Sequence, residues 1–138
     1  MTRRPTRLHH TAYVTQDLEK TRAFYEDIIG LPLEATWCES DELFGEIRTY
    51  CHCFFGLEDG SALAFFQFAS ARDRELFGPR MPETPFHHIA LNVEADTQAA
   101  IENNPSAVTS PGISPVLSLT CSQILSAPLS IQEMLVHT

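Results

Sequence analysis

The sequence predicts an α+β protein whose two halves open on the same strand-and-helix unit. Two adjacent histidines begin an apolar stretch twice, as Leu8-His9-His10-Thr11-Ala12-Tyr13 and as Phe86-His87-His88-Ile89-Ala90-Leu91, so four of the six histidines sit in matched pairs. Between them the patterning runs strand, helix, strand, strand, strand. A helix start, "EADTQAAIENN", then follows the second pair as "QDLEKTRAFYEDII" follows the first, which is an internal repeat of supersecondary structure.

Each element has a local reason. Leu8 to Thr15 is rich in β-branched and aromatic residues and ends at Gln16-Asp17. Asp17 can cap the next helix, with Thr21, Phe24, Tyr25, Ile28 and Ile29 at helical spacing on one face. Gly30 suits the left-handed residue after the helix, and Pro32 forbids its continuation. Leu33 to Cys38 reads as a strand, "ESDELFGE" as an acidic turn, and "RTYCHCFFGL" and "SALAFFQFA" as strands joined at Glu58-Asp59-Gly60. Asp-Gly between apolar strands is a hairpin signal, because glycine supplies the positive φ.

The domain expectation is a first module over residues 1–69, a charged, proline-bearing connector over 70–85, and a second module over 86–138. From about residue 104 the composition changes. The tail has no Lys, Arg, Asp or aromatic residue and one acid, Glu133, with serines every fourth position from Ser106 to Ser130. Pro111 and Pro115 disfavour a helix there. The segment "PVLSLTCSQIL" is a candidate strand, and an irregular tail is the favoured reading. The second module is therefore expected to be incomplete.

Composition excludes several classes. The chain of 138 residues is 43% hydrophobic and 20% charged, as a globular protein is. No apolar run suits a membrane span, and "MTRRPTRLHH" lacks a signal peptide's apolar stretch. A net charge of −9 argues against nucleic acid or an anionic membrane as partner. Four cysteines with no secretory signal predict reduced thiols and a cytoplasmic protein. Cys51 and Cys53 share a strand face and read as small core residues.

Alternation places His88, Ala90 and Asn92 on one face and His87, Ile89, Leu91 and Val93 on the other. His10 likewise shares a face with Ala12 and Val14. A histidine on the face away from the packed helix suits metal ligation, since neutral imidazole is a good nitrogen donor for Zn, Fe, Ni or Mn. A histidine hydrogen-bonded at a sheet surface is the bland alternative, and the matched pairing shifts the balance to a site. His52, facing with Tyr50 and Phe54, reads as structural or as a substrate contact.

The pattern His10-x₆-Asp17-Leu18-x₅-Phe24-Tyr25-x₄-Gly30-Leu31, followed by His88-Ile89-Ala90-Leu91, resembles the vicinal oxygen chelate superfamily of glyoxalase I, bleomycin-resistance proteins and extradiol dioxygenases. The resemblance covers about residues 7–100. It implies paired βαβββ modules whose mixed sheets curve around one metal-centred cavity. It carries the first-strand ligands onto His10 and His88, and the ligand on the last strand of module one onto Gln67, where many relatives have Glu. The family's fourth ligand follows an Asp-Pro-x-Gly turn that is missing here, which leaves Glu133 as the candidate if residues 129–136 form the closing strand. The expected cofactor is a divalent ion (Fe, Zn, Mn or Ni), weakly held because His10, His88 and Gln67 are all neutral.

What the resemblance implies is a dioxygenase-like or lyase-like metalloenzyme acting on a small vicinal-oxygen substrate, with the dioxygenase favoured. The alternative is a metal-free binding protein that sequesters a drug-like or aromatic molecule. Phe65, His52 and Asn92 are the expected substrate contacts. A homodimer is expected, since an incomplete second module leaves sheet edges to cover.

Overall fold

The computed structural model describes residues 4–78, 89–108 and 132–136; residues 107–108 and 132–136 are described by backbone only. The chain divides into two units, Met1–Arg80 and Met81–Thr138.

The first unit is an α+β βαβββ module. Strand β1 (His10–Val14) leads into α1 (Leu18–Arg22), which runs on as a wider π-helical stretch, Ala23–Ile29. Strands β2 (Leu33–Leu43), β3 (Glu46–Gly56) and β4 (Ala62–Phe68) follow. The strand order is β1-β4-β3-β2, with β1 parallel to β4 and the other pairs antiparallel.

The predicted caps form. Asp17 Oδ1 accepts the Lys20 N–H at 3.0 Å, and Gly30 takes the left-handed conformation at φ 87° after the helix. Asp59 Oδ1 accepts the Ser61 N–H at 2.8 Å, and Gly60 has φ 74°. The helix lays Tyr25, Ile28 and Ile29 on one face of the sheet, where they bury Cys53, Phe55, Leu63 and Phe65. Tyr25 packs its ring against Phe65 at 5.0 Å and Phe55 at 5.5 Å.

Three expectations change. The acidic stretch is strand, not turn: β2 runs to Leu43, and the reversal is confined to Phe44 (φ 54°) and Gly45 (φ 79°). Positive φ at both positions is what a tight hairpin matching the strand twist requires. The segment expected as connector contains helix α2 (Ala71–Phe77), whose Ser70 cap accepts the Asp73 N–H at 3.0 Å. Cys38 and Cys51, expected as reduced thiols, are register partners on β2 and β3 and are joined in a disulfide. Cys53 is a buried free thiol, as expected, and burial raises its pKa to about 11.

Helix α2 packs over the other face of the sheet. Arg48, 4% exposed, forms an ion pair with Asp73, donates to the Leu43 carbonyl at 3.1 Å and lies over the Phe77 ring. Phe77 stacks on Phe68 at 4.9 Å.

The second unit has β5 (Ile89–Val93), α3 (Ala95–Glu102), a single turn α4 (Pro105–Val108) and β6 (Gln132–Val136). The predicted alternation of β5 holds: Leu91 is buried and Ile89 and Val93 are half-buried, while Ala90 and Asn92 are exposed. Strand β6 pairs antiparallel with β5, whereas in the first unit the opening strand pairs parallel with the last. Among the described residues, the second unit therefore does not repeat the parallel pairing of the first. The candidate strand "PVLSLTCSQIL" lies outside the described residues.

Candidate ligand-binding face

Register decides which side chains share a face. In β1 and β4, His10 pairs with Ala62, Ala12 with Ala64 and Val14 with Phe66. In β3 and β4, Tyr50 pairs with Phe68, His52 with Phe66 and Phe54 with Ala64. Trp37 pairs with His52 across β2 and β3. Register partners point to the same side of a sheet. The face opposite α1 therefore carries His10, Trp37, Tyr50, His52, Phe54, Phe66 and Phe68.

These rings form a continuous layer. His52 stacks on Phe66 with centroids 3.6 Å apart and lies 4.2 Å from Phe54. Trp37 stacks on Phe54 at 5.1 Å and meets His52 edge-on at 5.0 Å. His10 meets Phe54 edge-on at 5.4 Å. The layer is partly open, with Trp37 42% exposed and His10 exposed. Packed α2 closes the Phe68 end.

His52 is 7% exposed, and its Nε2 has no hydrogen-bond partner among the described residues. Burial, and after it the neighbouring His10, holds its pKa below 6.5, which favours the neutral ring. That nitrogen is enclosed within the ring layer, so its missing partner is a local cost of placing an imidazole there.

The predicted site residues fall as follows. His10 and His52 come together on one face. Gln67 does not join them. It shares its face with Phe65, and its Oε1 accepts the Leu18 N–H at 2.5 Å, tying β4 to the start of α1. Phe65, 3% exposed, packs against Tyr25 in the helix-side core and lines no open face. The physical reason is the parallel register of β1 with β4, which puts even-numbered β4 residues beside His10 and odd-numbered ones beneath the helix. In the second unit Asn92 is exposed and is the register partner of Glu133, on the strand that closes against β5. His88 lies outside the described residues.

The donor chemistry of the first unit does not fit a metal centre at His10. The β4 residues on its face are Ala62, Ala64, Phe66 and Phe68, and none is a ligand. Among the described residues no group of three or more His, Cys, Asp or Glu is placed to hold a metal ion.

Sequence reading passed over Trp37, Glu39 and Asp41. The two acids fall in the stretch that reads as an acidic turn. Their spacing of two residues on one strand was the available signal.

A family model, described as Glyoxalase/Bleomycin resistance protein/Dioxygenase superfamily, matches residues 7–102. No curated protein and no solved structure matches the chain. Among the described residues no helix is long and apolar enough to cross a membrane.

Proposed function

Because the chain belongs to the Glyoxalase/Bleomycin resistance protein/Dioxygenase superfamily, we propose that it is a binding protein for a small planar aromatic molecule, held by stacking on the His10 face of the first sheet. The observation that carries this reading is the layer of Trp37, His52, Phe54 and Phe66 in mutual ring contact, with one indole open to solvent. Such rings offer a flat apolar surface, and stacking on them contributes about 0.5–1.5 kcal/mol per pair beyond area burial. Trp37 is the single tryptophan, so its emission reports directly on this face. Titration with acridine is expected to give saturable quenching that weakens in Phe54→Ala. A linear collisional response, matched by free tryptophan, overturns the reading.

The dioxygenase-like metalloenzyme is the second reading, and one observation favours it. Glu133 lies on a strand paired with β5, the strand that follows His88. In this reading His88 and Glu133 are the ligands that the second unit supplies to a divalent ion. Elemental analysis after dialysis separates the two readings. One tightly held metal per chain, lost in Glu133→Ala, selects the enzyme; a protein with no metal selects the binder.

The binder acts as a homodimer in this proposal. Strands β1 and β2 end the order of the four-stranded sheet among the described residues and offer edges to a second copy. A monomer mass by light scattering, unchanged on concentration, counts against it.

A further inference from the structure

The aromatic layer carries a charge at one side that stacking does not explain. Glu39 and Asp41 follow Trp37 at two-residue steps along β2, on the same face. Trp37 Nε1 donates to Glu39 Oε1 at 3.1 Å. Tyr50, the register partner of Glu39, places its hydroxyl oxygen 2.8 Å from Glu39 Oε1 and 2.6 Å from Asp41 Oδ2. Two carboxylates therefore converge on one phenol at the edge of the indole.

A phenol has one proton. It can donate to Glu39 or to Asp41, and the other short contact then sets lone pair against lone pair. Neither carboxylate has a salt-bridge partner among the described residues. The nearest guanidinium by register, Arg48 opposite Asp41, is committed to Asp73 and Glu46. Acids on an edge strand commonly serve only to deter pairing. That role needs neither convergence on a tyrosine nor contact with a stacking residue. Beside them, His52 is 7% exposed and carries an unpaired Nε2 on the same face, an independent sign that the layer lacks a partner.

We propose that the ligand of this face is a planar aromatic cation, its ring against Trp37 and its positive charge between Glu39 and Asp41. The inference rests on the aromatic-face reading above and adds the charge. An N–H⁺ or quaternary nitrogen at the indole edge resolves the crowded carboxylate–phenol contact, and the Trp37 face itself attracts a cation. The strand rise of about 3.3 Å per residue puts the Glu39 backbone about 7 Å from that of Trp37, the span of a fused two- to three-ring system.

The test titrates the full chain with three probes of one shape: N-methylacridinium, neutral acridine at mildly alkaline pH, and acridine-9-carboxylate. Trp37 emission and calorimetry follow binding. N-methylacridinium is expected to bind about five- to tenfold tighter than acridine, the gain expected from one or two exposed ion pairs. The carboxylate is expected to bind weakest. The cation's advantage is expected to shrink in high salt, and to vanish in the double variant Glu39→Gln/Asp41→Asn, whose fold is checked by circular dichroism. Should that variant not fold, the salt series on the unmodified chain decides. Equal binding of cation and neutral compound, or preference for the anion, overturns the charge inference and leaves the aromatic-face reading standing. Absence of binding by all three overturns both.

Discussion

His52 and Phe66 lie face to face across the β3–β4 pair, with ring centroids 3.6 Å apart and planes 15° from parallel. The stack fixes an imidazole in an apolar layer while leaving its Nε2 unpaired. A buried donor or acceptor without a partner costs about 1–3 kcal/mol. His52→Phe keeps the ring and removes that cost, so it is expected to raise folding stability by roughly 1 kcal/mol in urea titrations. A loss of stability in this variant would show that the imidazole is satisfied in solution.

The same residue sets a pH dependence. Its pKa is lowered in the folded chain from 6.5, so between that value and the folded value the unfolded state binds more protons. Stability contributed by the neutral ring is complete above 6.5 and is lost as pH falls through the folded value. His10, whose charge lowers the pKa, and Glu39, whose charge raises it, both face the ring. Thermal unfolding at about pH 7.5 and about pH 5.5 is expected to show a larger decrease for the native chain than for His52→Phe. Equal decreases in the two proteins refute this.

The ion pair of Arg48 with Asp73 ties β3 to α2 where both residues are buried. Removing one partner of a buried pair costs about 3–5 kcal/mol when the charge left behind is unpaired, whereas Arg48 without Asp73 keeps Glu46 at 3.2 Å. Asp73→Ala is therefore expected to fall short of that loss, at about 2–3 kcal/mol, whereas Arg72→Ala, which breaks an exposed pair with Glu46, is expected to cost less than about 1 kcal/mol. Chemical denaturation of both variants checks the contrast.

How far the fold and the face could be read from sequence depends on how polar residues punctuate each strand. In β1 and β5 small and polar residues alternate with large apolar ones, so His10 with Ala12, and Ala90 with Asn92, were assigned their face correctly. In β4, "ALAFFQF" puts phenylalanines at both parities, because this strand is covered by α1 on one side and by rings on the other. Alternation then carries no phase. Only pairing with β1 reveals that Gln67 and Phe65 face the helix. The disulfide was hidden for a related reason. Cys38 meets Cys51 only once the reversal is set at Phe44-Gly45, and the acids around Asp41 disguised that strand as a turn.

That disulfide closes a sequence separation of 13 residues. Cross-linking a loop of that order stabilises by about 3 kcal/mol in the chain-entropy account. Treatment with a dithiol reductant is expected to lower the melting temperature of the native chain, and to leave the Cys38→Ser/Cys51→Ser variant unchanged. Mass spectrometry of iodoacetamide-treated protein counts the thiols before and after reduction. A native chain already fully alkylated without reductant would disprove the bond.

Phe44 holds φ 54° at the tip of the β2–β3 hairpin with its ring 84% exposed. A left-handed conformation costs a side chain with Cβ roughly 1–2 kcal/mol, and asparagine or glycine much less. Its compensation is a stack on Phe77 at 5.5 Å. Phe44→Asn is expected to be more stable than Phe44→Ala by about 0.5–1 kcal/mol, since both lose the ring but only asparagine tolerates the backbone. Denaturation midpoints of the two variants that coincide would mean the turn adopts another conformation in solution.

Gln67 allows the sharpest separation of a structural role from a ligand role. Its Oε1 accepts the Leu18 N–H at 2.5 Å, one of the amides at the start of α1 that no helical carbonyl can reach. Gln67→Ala strands that amide, and a lost acceptor at a helix start costs about 1 kcal/mol. Gln67→Glu keeps an acceptor oxygen and adds a negative charge near the helix N-terminus, so it is expected to retain the stability that alanine loses. As Gln67 lies across the sheet from His10, neither change is expected to alter acridine binding or the metal content after dialysis. Parallel urea titrations, Trp37 emission titrations and elemental analysis of the two variants make the comparison. If Gln67→Glu instead gained about one metal ion per chain, the side chain would have to reach the His10 face in solution, and the register that places it under the helix would be wrong.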